Sequence, residues 1–118
     1  SSGCIINITS QMGHVGAHHR VAYCASKHAV EGMTKAMAVE LAPHNIRVNA
    51  VGPTYIETAM TAPNFADPVF HKDALSRIPL GRIGQLYEIM GAIVFLASPA
   101  SGLITGASLT IDGGWTAQ

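Results

Sequence analysis

Residues 21–53 decide the fold class, and they read VAYCASKHAVEGMTKAMAVELAPHNIRVNAVGP. Apolar side chains recur at spacings of three and four over residues 21–42, which predicts a long amphipathic helix. Pro43 ends this helix, because the residue before a proline is pushed out of the α-helical region. Residues 47–51 then form a strand pattern, which Gly52-Pro53 closes. The segment therefore predicts a helix that leads directly into a strand.

The same alternation continues on both sides of this segment. Upstream, residues 4–9 are a β-branched run that predicts a buried strand, and residues 11–20 form a loop. Strands separated by helical crossovers imply a parallel sheet, so we expect an α/β fold with three strands. Downstream, the patterns predict an irregular stretch at 54–66, a helix from Asp67-Pro68 to before Pro79, a helix at 85–97 and a strand at 108–112.

Three parallel strands make a thin sheet, and its first strand would be an exposed edge unless something pairs with it. That strand follows Ser1-Ser2-Gly3 with almost no lead-in. We therefore expect residues 1–118 to be the C-terminal half of a single domain whose N-terminal half precedes them. Of the residues, 48% are hydrophobic and only 12% are charged. This indicates either a sheet buried between helices or a surface covered by further chain or other subunits.

The charge pattern argues against nucleic-acid and membrane partners. The net charge is zero, with seven basic and seven acidic residues scattered along the chain, so no basic patch suits a phosphate backbone. The longest apolar run, residues 93–97, falls far short of the roughly 20 residues that span a bilayer. Cys4 and Cys24 lack metal-ligand spacing, which is typical of reduced thiols in a cytoplasmic protein.

The histidines raise the question of a metal site. His14, His18 and His19 cluster in the predicted loop, and the others are scattered. No His-x-x-x-His pair with a carboxylate lies on one predicted helix, so we predict no metal. We expect the loop histidines to line a substrate entrance or to face solvent.

Ser10, Tyr23 and Lys27 are the candidate catalytic residues. Tyr23 and Lys27 stand four residues apart at the start of the long helix, which puts them on one face, one turn apart. Ser10 follows the first strand, and ligands of open α/β sheets bind at the carboxyl ends of strands. An unperturbed tyrosine titrates at about pH 10, a neighbouring ammonium favours its phenolate, and a serine hydroxyl can hold a substrate oxygen. The set suits proton transfer during carbonyl reduction.

Several short motifs follow one another along the chain: Asn7-Ile8-Thr9-Ser10, Tyr23-Cys24-Ala25-Ser26-Lys27, Ile46-Arg47-Val48-Asn49-Ala50-Val51-Gly52-Pro53, Ile56-Glu57-Thr58, Ile104-Thr105-Gly106 and Ile111-Asp112-Gly113-Gly114. Together they resemble the short-chain dehydrogenase/reductase family over essentially all of the chain. The resemblance implies a Rossmann-type doubly wound parallel sheet, of which this chain supplies the last three strands and their helices. It also implies an NAD(P)-dependent oxidoreductase that acts on a small-molecule alcohol or ketone and forms a homo-oligomer, either a dimer or a tetramer.

The resemblance also implies roles for individual residues. Tyr23 would be the general acid/base, Lys27 would assist it and bond the nicotinamide ribose, and Ser10 would orient the substrate carbonyl. Residues 59–78 would form a lid over the substrate. The residues that would bind NAD or NADP are Tyr23, Lys27, Pro53, Ile56 and Thr58.

The chain departs from the family pattern at two points. Thr54 stands where a glycine usually follows Pro53, a change that slightly alters the loop. The glycine-rich turn that would hold the pyrophosphate is absent from these residues, as is the residue that would distinguish NAD from NADP. Either cofactor is therefore expected, and a second interpretation stays open. The chain could be a truncated, inert remnant that serves only as an oligomerisation module.

Overall fold

A computed structural model describes residues 2–118 as a three-stranded parallel sheet with helices on both faces. The strands are β1 (Gly3–Ile8), β2 (Ile46–Pro53) and β3 (Ser108–Ile111), and they lie in the order β1-β2-β3. Both pairings are parallel. The predicted α/β fold with a parallel sheet is confirmed.

The α-helices of the described residues lie in the connections between the strands. No helix in this part of the chain has the length and apolarity required to cross a membrane. Asp67 acts as the predicted N-cap, because its side chain accepts a hydrogen bond from the Val69 amide. The helices are α1 (Val21–Leu41), α2 (Ala62–Phe65), α3 (Pro68–Ser76) and α4 (Leu86–Ala97).

Three predicted segments differ in detail from the structure. The stretch 54–66, predicted to be irregular, contains the single turn of α2, and the loop at 11–20 begins with a 3-10 turn at Gln11–Gly13. The helix expected to run up to Pro79 ends at Ser76. The short turns were missed because four or fewer residues are too few to display a hydrophobic period.

Side-chain contacts assign one face of the sheet to α1 and the other to α4. Asn7 faces α1, since its amide nitrogen donates to the Thr34 hydroxyl at 3.0 Å. Side chains alternate along a strand, so the neighbours of Asn7 point to the opposite face. The core of that face contains Val51, Ile89 and Leu96, packed with Ile6, Ile56, Ile93, Ile104 and Ile111.

β1 is only partly buried in this structure. Ile5 is 36% exposed and Ile8 is 49% exposed, and only β2 pairs with β1 in residues 2–118. This exposure is what the sequence analysis expects of a first strand that has no second neighbour in the described residues. Its β-branched composition suits burial on both faces, but the helices and the single neighbouring strand cover only part of it.

Two polar side chains of β2 hold the loop that precedes β3. Asn49 is fully buried; its amide nitrogen donates to the Ile104 carbonyl and its amide oxygen accepts from the Ala107 amide, both at 2.9 Å. Arg47 donates to the carbonyls of Leu96 and Ile104 at 2.8 and 3.1 Å. Because buried polar groups must be paired, these contacts explain the Arg-Val-Asn sequence as structural.

α4 begins with a capping box formed by Gln85 and Glu88. Arg82 donates to both carboxylate oxygens of Glu88 at 2.8 Å. The hydrogen bond from Arg82, together with that from the Gln85 amide, lowers the pKa of Glu88 to about 2. The charge of Arg82 is therefore matched at the start of α4.

β3 ends in a turn that requires glycine. Gly113 and Gly114 have φ angles of +60° and +95°, in the left-handed region that a β-carbon disfavours. A β-carbon on Gly113 would lie 2.5 Å from Cγ2 of Ile78, which is itself buried. Both the backbone and the packing therefore exclude a side chain at this position.

Replacing Gly113 with alanine should lower the free energy of unfolding by about 1–3 kcal/mol, because the new β-carbon collides with Ile78 in a strained backbone. Urea unfolding of the purified protein measures the loss. Gly16→Ala is the matched control, since its β-carbon would meet nothing within 4 Å. Its change should stay within about 0.5 kcal/mol, and equal losses in the two variants would contradict this account.

Candidate active site

A cleft of about 210 Å³ lies where the ends of β1 and β2 meet the start of α1. The carboxyl ends of parallel strands are the usual ligand site of open α/β sheets. Ser10 and Tyr23 come from separate segments and share this cleft. Its walls are formed by Thr9, Ser10, Gln11, Met12, Arg20, Tyr23, Pro53, Thr54 and Tyr55.

A larger cleft of about 510 Å³ lies on the other side of Thr54 and contains neither Ser10 nor Tyr23. The charged pair Arg82 and Glu88 on its wall is already joined by hydrogen bonds. We take the smaller cleft as the candidate active site, because Ser10 and Tyr23 both line it. No group of three or more His, Cys, Asp or Glu side chains within residues 2–118 could hold a metal ion.

α1 stacks Lys27 beside Tyr23. The two residues are four apart in the first turns of the helix, and the Lys27 ammonium nitrogen lies 5.5 Å from the centroid of the Tyr23 ring. This distance is within the range of a cation–π contact. Tyr23 is 44% exposed and lines the cleft, whereas Lys27 is half-buried behind it. The cation therefore lies against the ring and leaves the cleft open.

Ser10 is held firmly at the end of β1. Its hydroxyl oxygen accepts a hydrogen bond from the Met12 amide at 3.1 Å, and its hydroxyl proton is donated to the Gln11 side-chain oxygen at 2.8 Å. The residue is only 4% exposed. A substrate oxygen that bonds Ser10 would therefore replace Gln11 as the acceptor.

A buried carboxylate joins these segments to the sheet. Glu31 lies one turn beyond Lys27 on α1, and its Oε1 accepts hydrogen bonds from the hydroxyls of Thr9 at 2.7 Å and Ser108 at 2.9 Å. Nε2 of His14 lies 3.1 Å from the same oxygen and 3.1 Å from the Ser108 hydroxyl. One oxygen thus connects α1, the end of β1, the following loop and β3. His14 belongs to this network and does not line the cleft.

The predicted cofactor-binding residues divide into two groups. Pro53 lines the cleft with Tyr23, but Ile56 and Thr58 do not. Ile56 forms an isolated bridge with Gly84 and packs against the core. The Thr58 hydroxyl accepts from the Thr61 amide at the start of α2. The structure therefore brings Ser10, Tyr23 and Pro53 together with Lys27 close by, and leaves Ile56 and Thr58 outside the cleft.

Thr54 carries a buried hydroxyl that has no hydrogen-bond partner within the described residues. It lines the cleft beside Pro53. An unpaired buried hydroxyl costs free energy, so its position at a cleft wall suits a bond to a ligand. In the sequence, Thr54 was notable only as a departure from the family pattern, and its burial could not be inferred.

An aromatic cluster around Tyr55 forms one side of the cleft. The Tyr55 ring centroid lies 5.5 Å from that of Phe65, 5.7 Å from Phe70 and 6.0 Å from Trp115. The predicted lid region, residues 59–78, therefore does contact a residue of the cleft. Sequence reasoning missed Tyr55, although the concentration of aromatic residues between 55 and 70 was an available signal. Trp115 is partly buried beside Tyr55.

Asp112 holds the turn that carries Trp115. Its carboxylate accepts hydrogen bonds from the Gly114 amide at 3.1 Å and from the amide and hydroxyl of Thr116 at 2.9 and 2.7 Å. Burial raises the pKa of Asp112, but the hydrogen bonds from Thr116 and Gly114 outweigh it and hold the pKa below its ordinary value.

Comparisons with known proteins match almost the whole chain. The profile of the family described as enoyl-(acyl carrier protein) reductase matches residues 1–116. The L-xylulose reductase of Mus musculus is 44% identical over 115 residues, which make up 98% of this chain and 47% of that protein. The 2-dehydro-3-deoxy-D-gluconate 5-dehydrogenase of Bacillus subtilis is 49% identical over 116 residues, or 98% of this chain and 46% of that protein. The chain thus spans about half the length of these relatives.

Solved structures match this chain over a similar share of its length. The crystal structure of a gluconate 5-dehydrogenase from Burkholderia cenocepacia, in complex with NADP and tartrate, matches with a TM-score of 0.93 and 38% identity. The match covers 99% of this chain and 46% of that one. The structure of a 4-hydroxyisoleucine dehydrogenase complexed with NADH matches with a TM-score of 0.94 and 41% identity, covering 99% and 48% of the two chains.

Replacing Glu31 with alanine should lower the free energy of unfolding by about 2–3 kcal/mol, because the buried Thr9 hydroxyl loses its partner. Glu31→Gln keeps an acceptor oxygen and should lose less. Glu40→Ala, at an exposed position of the same helix, is the control and should change stability by less than about 0.5 kcal/mol. Denaturant unfolding of the purified protein compares the three, and similar losses for Glu31→Ala and Glu40→Ala would rule out an anchoring role.

The stabilisation contributed by Asp112 should depend on pH. Since its folded pKa is lowered, the contribution should be fully present above the unfolded pKa of about 4 and should be lost as the pH falls through the folded value. The measurement is the difference in unfolding free energy between the wild type and Asp112→Asn from about pH 7 to about pH 3. The difference should be constant near neutrality and shrink in acid. A difference independent of pH would contradict the assignment.

Proposed function

Because the chain belongs to the short-chain dehydrogenase/reductase family, we propose that it is the catalytic half of an NAD(P)-dependent oxidoreductase. The reaction is the interconversion of a secondary alcohol and a ketone by hydride transfer, with Ser10, Tyr23 and Lys27 as the catalytic set. The proposal concerns the activity of the whole protein. Residues 1–118 correspond to about half the length of the relatives named above.

The observation that carries the proposal is the shared cleft of Ser10 and Tyr23, with Lys27 stacked on the Tyr23 ring. A proton donor and a second hydroxyl that converge on one cavity can hold one oxygen atom of a ligand between them. The Lys27 ammonium places a positive charge beside the ring from which the proton leaves. Ser10 and Tyr23 without Lys27 would have no positive charge beside the proton donor.

During reduction, the Tyr23 hydroxyl donates its proton to the carbonyl oxygen as that oxygen becomes negative. The Ser10 hydroxyl donates a hydrogen bond to the same oxygen, in place of its bond to Gln11. Lys27 stabilises the Tyr23 phenolate until a proton is taken up from solvent. In the oxidation direction, the Tyr23 phenolate accepts the proton of the substrate alcohol.

The residues of the cleft fit the nicotinamide end of a dinucleotide. The unpartnered, buried Thr54 hydroxyl beside Pro53 offers a hydrogen bond to a ligand, and the Lys27 ammonium has no carboxylate partner within residues 2–118. Tyr23, Lys27 and Pro53 are proposed to hold it at the cleft, and Ile56 and Thr58, which lie outside the cleft, are proposed to line the adjoining phosphate. When bound, NAD or NADP supplies or accepts the hydride.

The names of the relatives leave two classes of substrate open. The Mus musculus relative is named for a neutral sugar, L-xylulose, and the Bacillus subtilis relative for a sugar acid, 2-dehydro-3-deoxy-D-gluconate. We propose that the substrate of this protein is a small alcohol or ketone, a class that includes the compounds in the names of both relatives.

The proposal includes a homo-oligomeric, cytoplasmic enzyme. α1 leaves apolar side chains exposed on the side away from the sheet, among them Val21, Met33 and Val39, and contiguous exposed apolar surface is typical of protein interfaces. Cys4 and Cys24 are free thiols, which suits a reducing compartment. The same apolar surface is compatible with the alternative, an inert oligomerisation module, but the paired hydroxyls of the cleft favour an enzyme.

Replacing Tyr23 with phenylalanine should reduce kcat/KM for hydride transfer by about 10²- to 10⁴-fold, because the general acid is lost and the ring is kept. Steady-state absorbance assays of NADH and NADPH with a panel of ketones measure the effect. Tyr87→Phe, at an exposed position of α4, is the matched control and should retain full activity. A Tyr23→Phe variant that keeps most of its activity would exclude Tyr23 as the general acid.

The inert alternative predicts a different outcome. It requires that the wild-type protein transfer no hydride from either dinucleotide while it still forms an oligomer.

Thermal unfolding of both tyrosine variants should match that of the wild type, so that a loss of activity cannot be attributed to a loss of folding.

A further inference from the structure

Arg20 lies on the wall of two adjoining clefts. It lines the cleft that contains Ser10 and Tyr23, and it also lines a smaller cleft of about 110 Å³ that contains His18, Phe70 and Trp115. Met12 and Tyr55 are shared by both clefts as well, so the two form one continuous depression. Arg20 is therefore the cation at the junction between the reacting groups and the aromatic cluster.

The other arginines of the described residues have structural partners. Arg47 donates to buried backbone carbonyls, Arg77 pairs with Asp73 at 3.5 Å, and Arg82 pairs with Glu88 at 2.8 Å. The Arg20 guanidinium makes one hydrogen bond, at 3.2 Å, to the carbonyl of its own neighbour His19. Within residues 2–118 it has no carboxylate partner.

No acidic side chain faces Arg20 in the cleft of Ser10 and Tyr23, where the rest of the wall is hydroxyl, amide, thioether, aromatic and proline groups. In the adjoining cleft, the one acidic side chain of the wall, Asp73, is engaged by Arg77. The depression therefore has an excess of positive charge that the described part of the chain does not neutralise. Such a charge at a cleft favours an anionic ligand.

We propose that Arg20 binds the carboxylate of the substrate, and that the substrate is a small hydroxy acid or its oxo counterpart. This inference rests on the proposed function for the reacting end of the molecule, where Tyr23 and Ser10 hold the oxygen. The planar guanidinium presents paired N–H groups that match the two oxygens of a carboxylate. Arg20 stands three residues before Tyr23, about one helical turn away, which is a separation that one small molecule can bridge.

The aromatic cluster completes the specificity of the site. Tyr55 and its neighbours Phe70 and Trp115 provide an apolar wall next to the guanidinium. A carbon skeleton can pack on this wall while its carboxylate bonds Arg20 and its hydroxyl or carbonyl oxygen reaches Tyr23. An uncharged polyol would offer the guanidinium no charge-assisted hydrogen bond.

The test is calorimetric binding to the purified protein in the presence of saturating NADH or NADPH. The probes are two acids, each with an uncharged counterpart of similar size: cyclohexanecarboxylate against cyclohexanecarboxamide, and gluconate against sorbitol. At least one acid should bind about tenfold or more tightly than its counterpart. In Arg20→Gln the affinity for that acid should fall about tenfold to a hundredfold, and Arg20→Lys should retain part of the preference.

Arg82→Gln is the matched control, because it removes an arginine charge outside this depression and should leave the preference intact. Circular dichroism and thermal unfolding should be the same for Arg20→Gln and the wild type, since Arg20 is exposed. If neither acid binds more tightly than its counterpart, or if Arg20→Gln keeps the preference, the carboxylate assignment is overturned.

Hydride transfer is followed separately as the formation of NADH or NADPH with gluconate and with sorbitol. This second measurement distinguishes the two proposals. Turnover of neutral alcohols without any preference for acids would overturn the role of Arg20 and leave the oxidoreductase intact. Arg20-dependent binding of acids without hydride transfer from any alcohol would support the carboxylate site and refute the proposed function.

Discussion

The geometry of the site depends on the buried carboxylate of Glu31. Its Oε1 accepts hydrogen bonds from Thr9, which directly precedes Ser10, and from Ser108 on β3. Because Glu31 lies one turn beyond Lys27 on α1, the contacts that join α1 to β3 also fix the loop of Ser10 against the helix that carries Tyr23 and Lys27. A buried carboxylate requires donors to offset its desolvation, so the network constrains all of these segments at once.

α1 serves the fold and the site with one row of side chains. Tyr23, Lys27 and Glu31 follow at intervals of four, and Thr34 and Ala38 continue the row against the sheet. The first turn of this row lies beyond the strand ends and borders the cleft, whereas the later turns are buried against β1 and β2. The proposed catalytic side chains Tyr23 and Lys27 therefore lie on the continuation of a packing surface.

Only 12% of the residues are charged, and two of them, Arg20 and Lys27, are cations beside the cleft. Most charged groups that contact the folded core are satisfied locally: Arg47 by carbonyls, Glu88 by Arg82 and Asp112 by the turn at Thr116. Arg20 and Lys27 lie beside the cleft without a carboxylate partner in residues 2–118. Charges that the fold leaves unmatched are available to bind and to stabilise a ligand.

The sequence by itself determined the order of strands and helices, the parallel sheet, and the grouping of Ser10 with Tyr23. Each depends on local patterns such as the period of α1, Pro43 and the strand pattern at 47–51 that Gly52-Pro53 closes. The tertiary structure alone decided that His14 joins Glu31 and Ser108, and that Tyr55, Trp115 and Arg20 border one depression. These contacts join residues far apart in the chain, and they depend on strand register and helix packing, which local propensity does not encode.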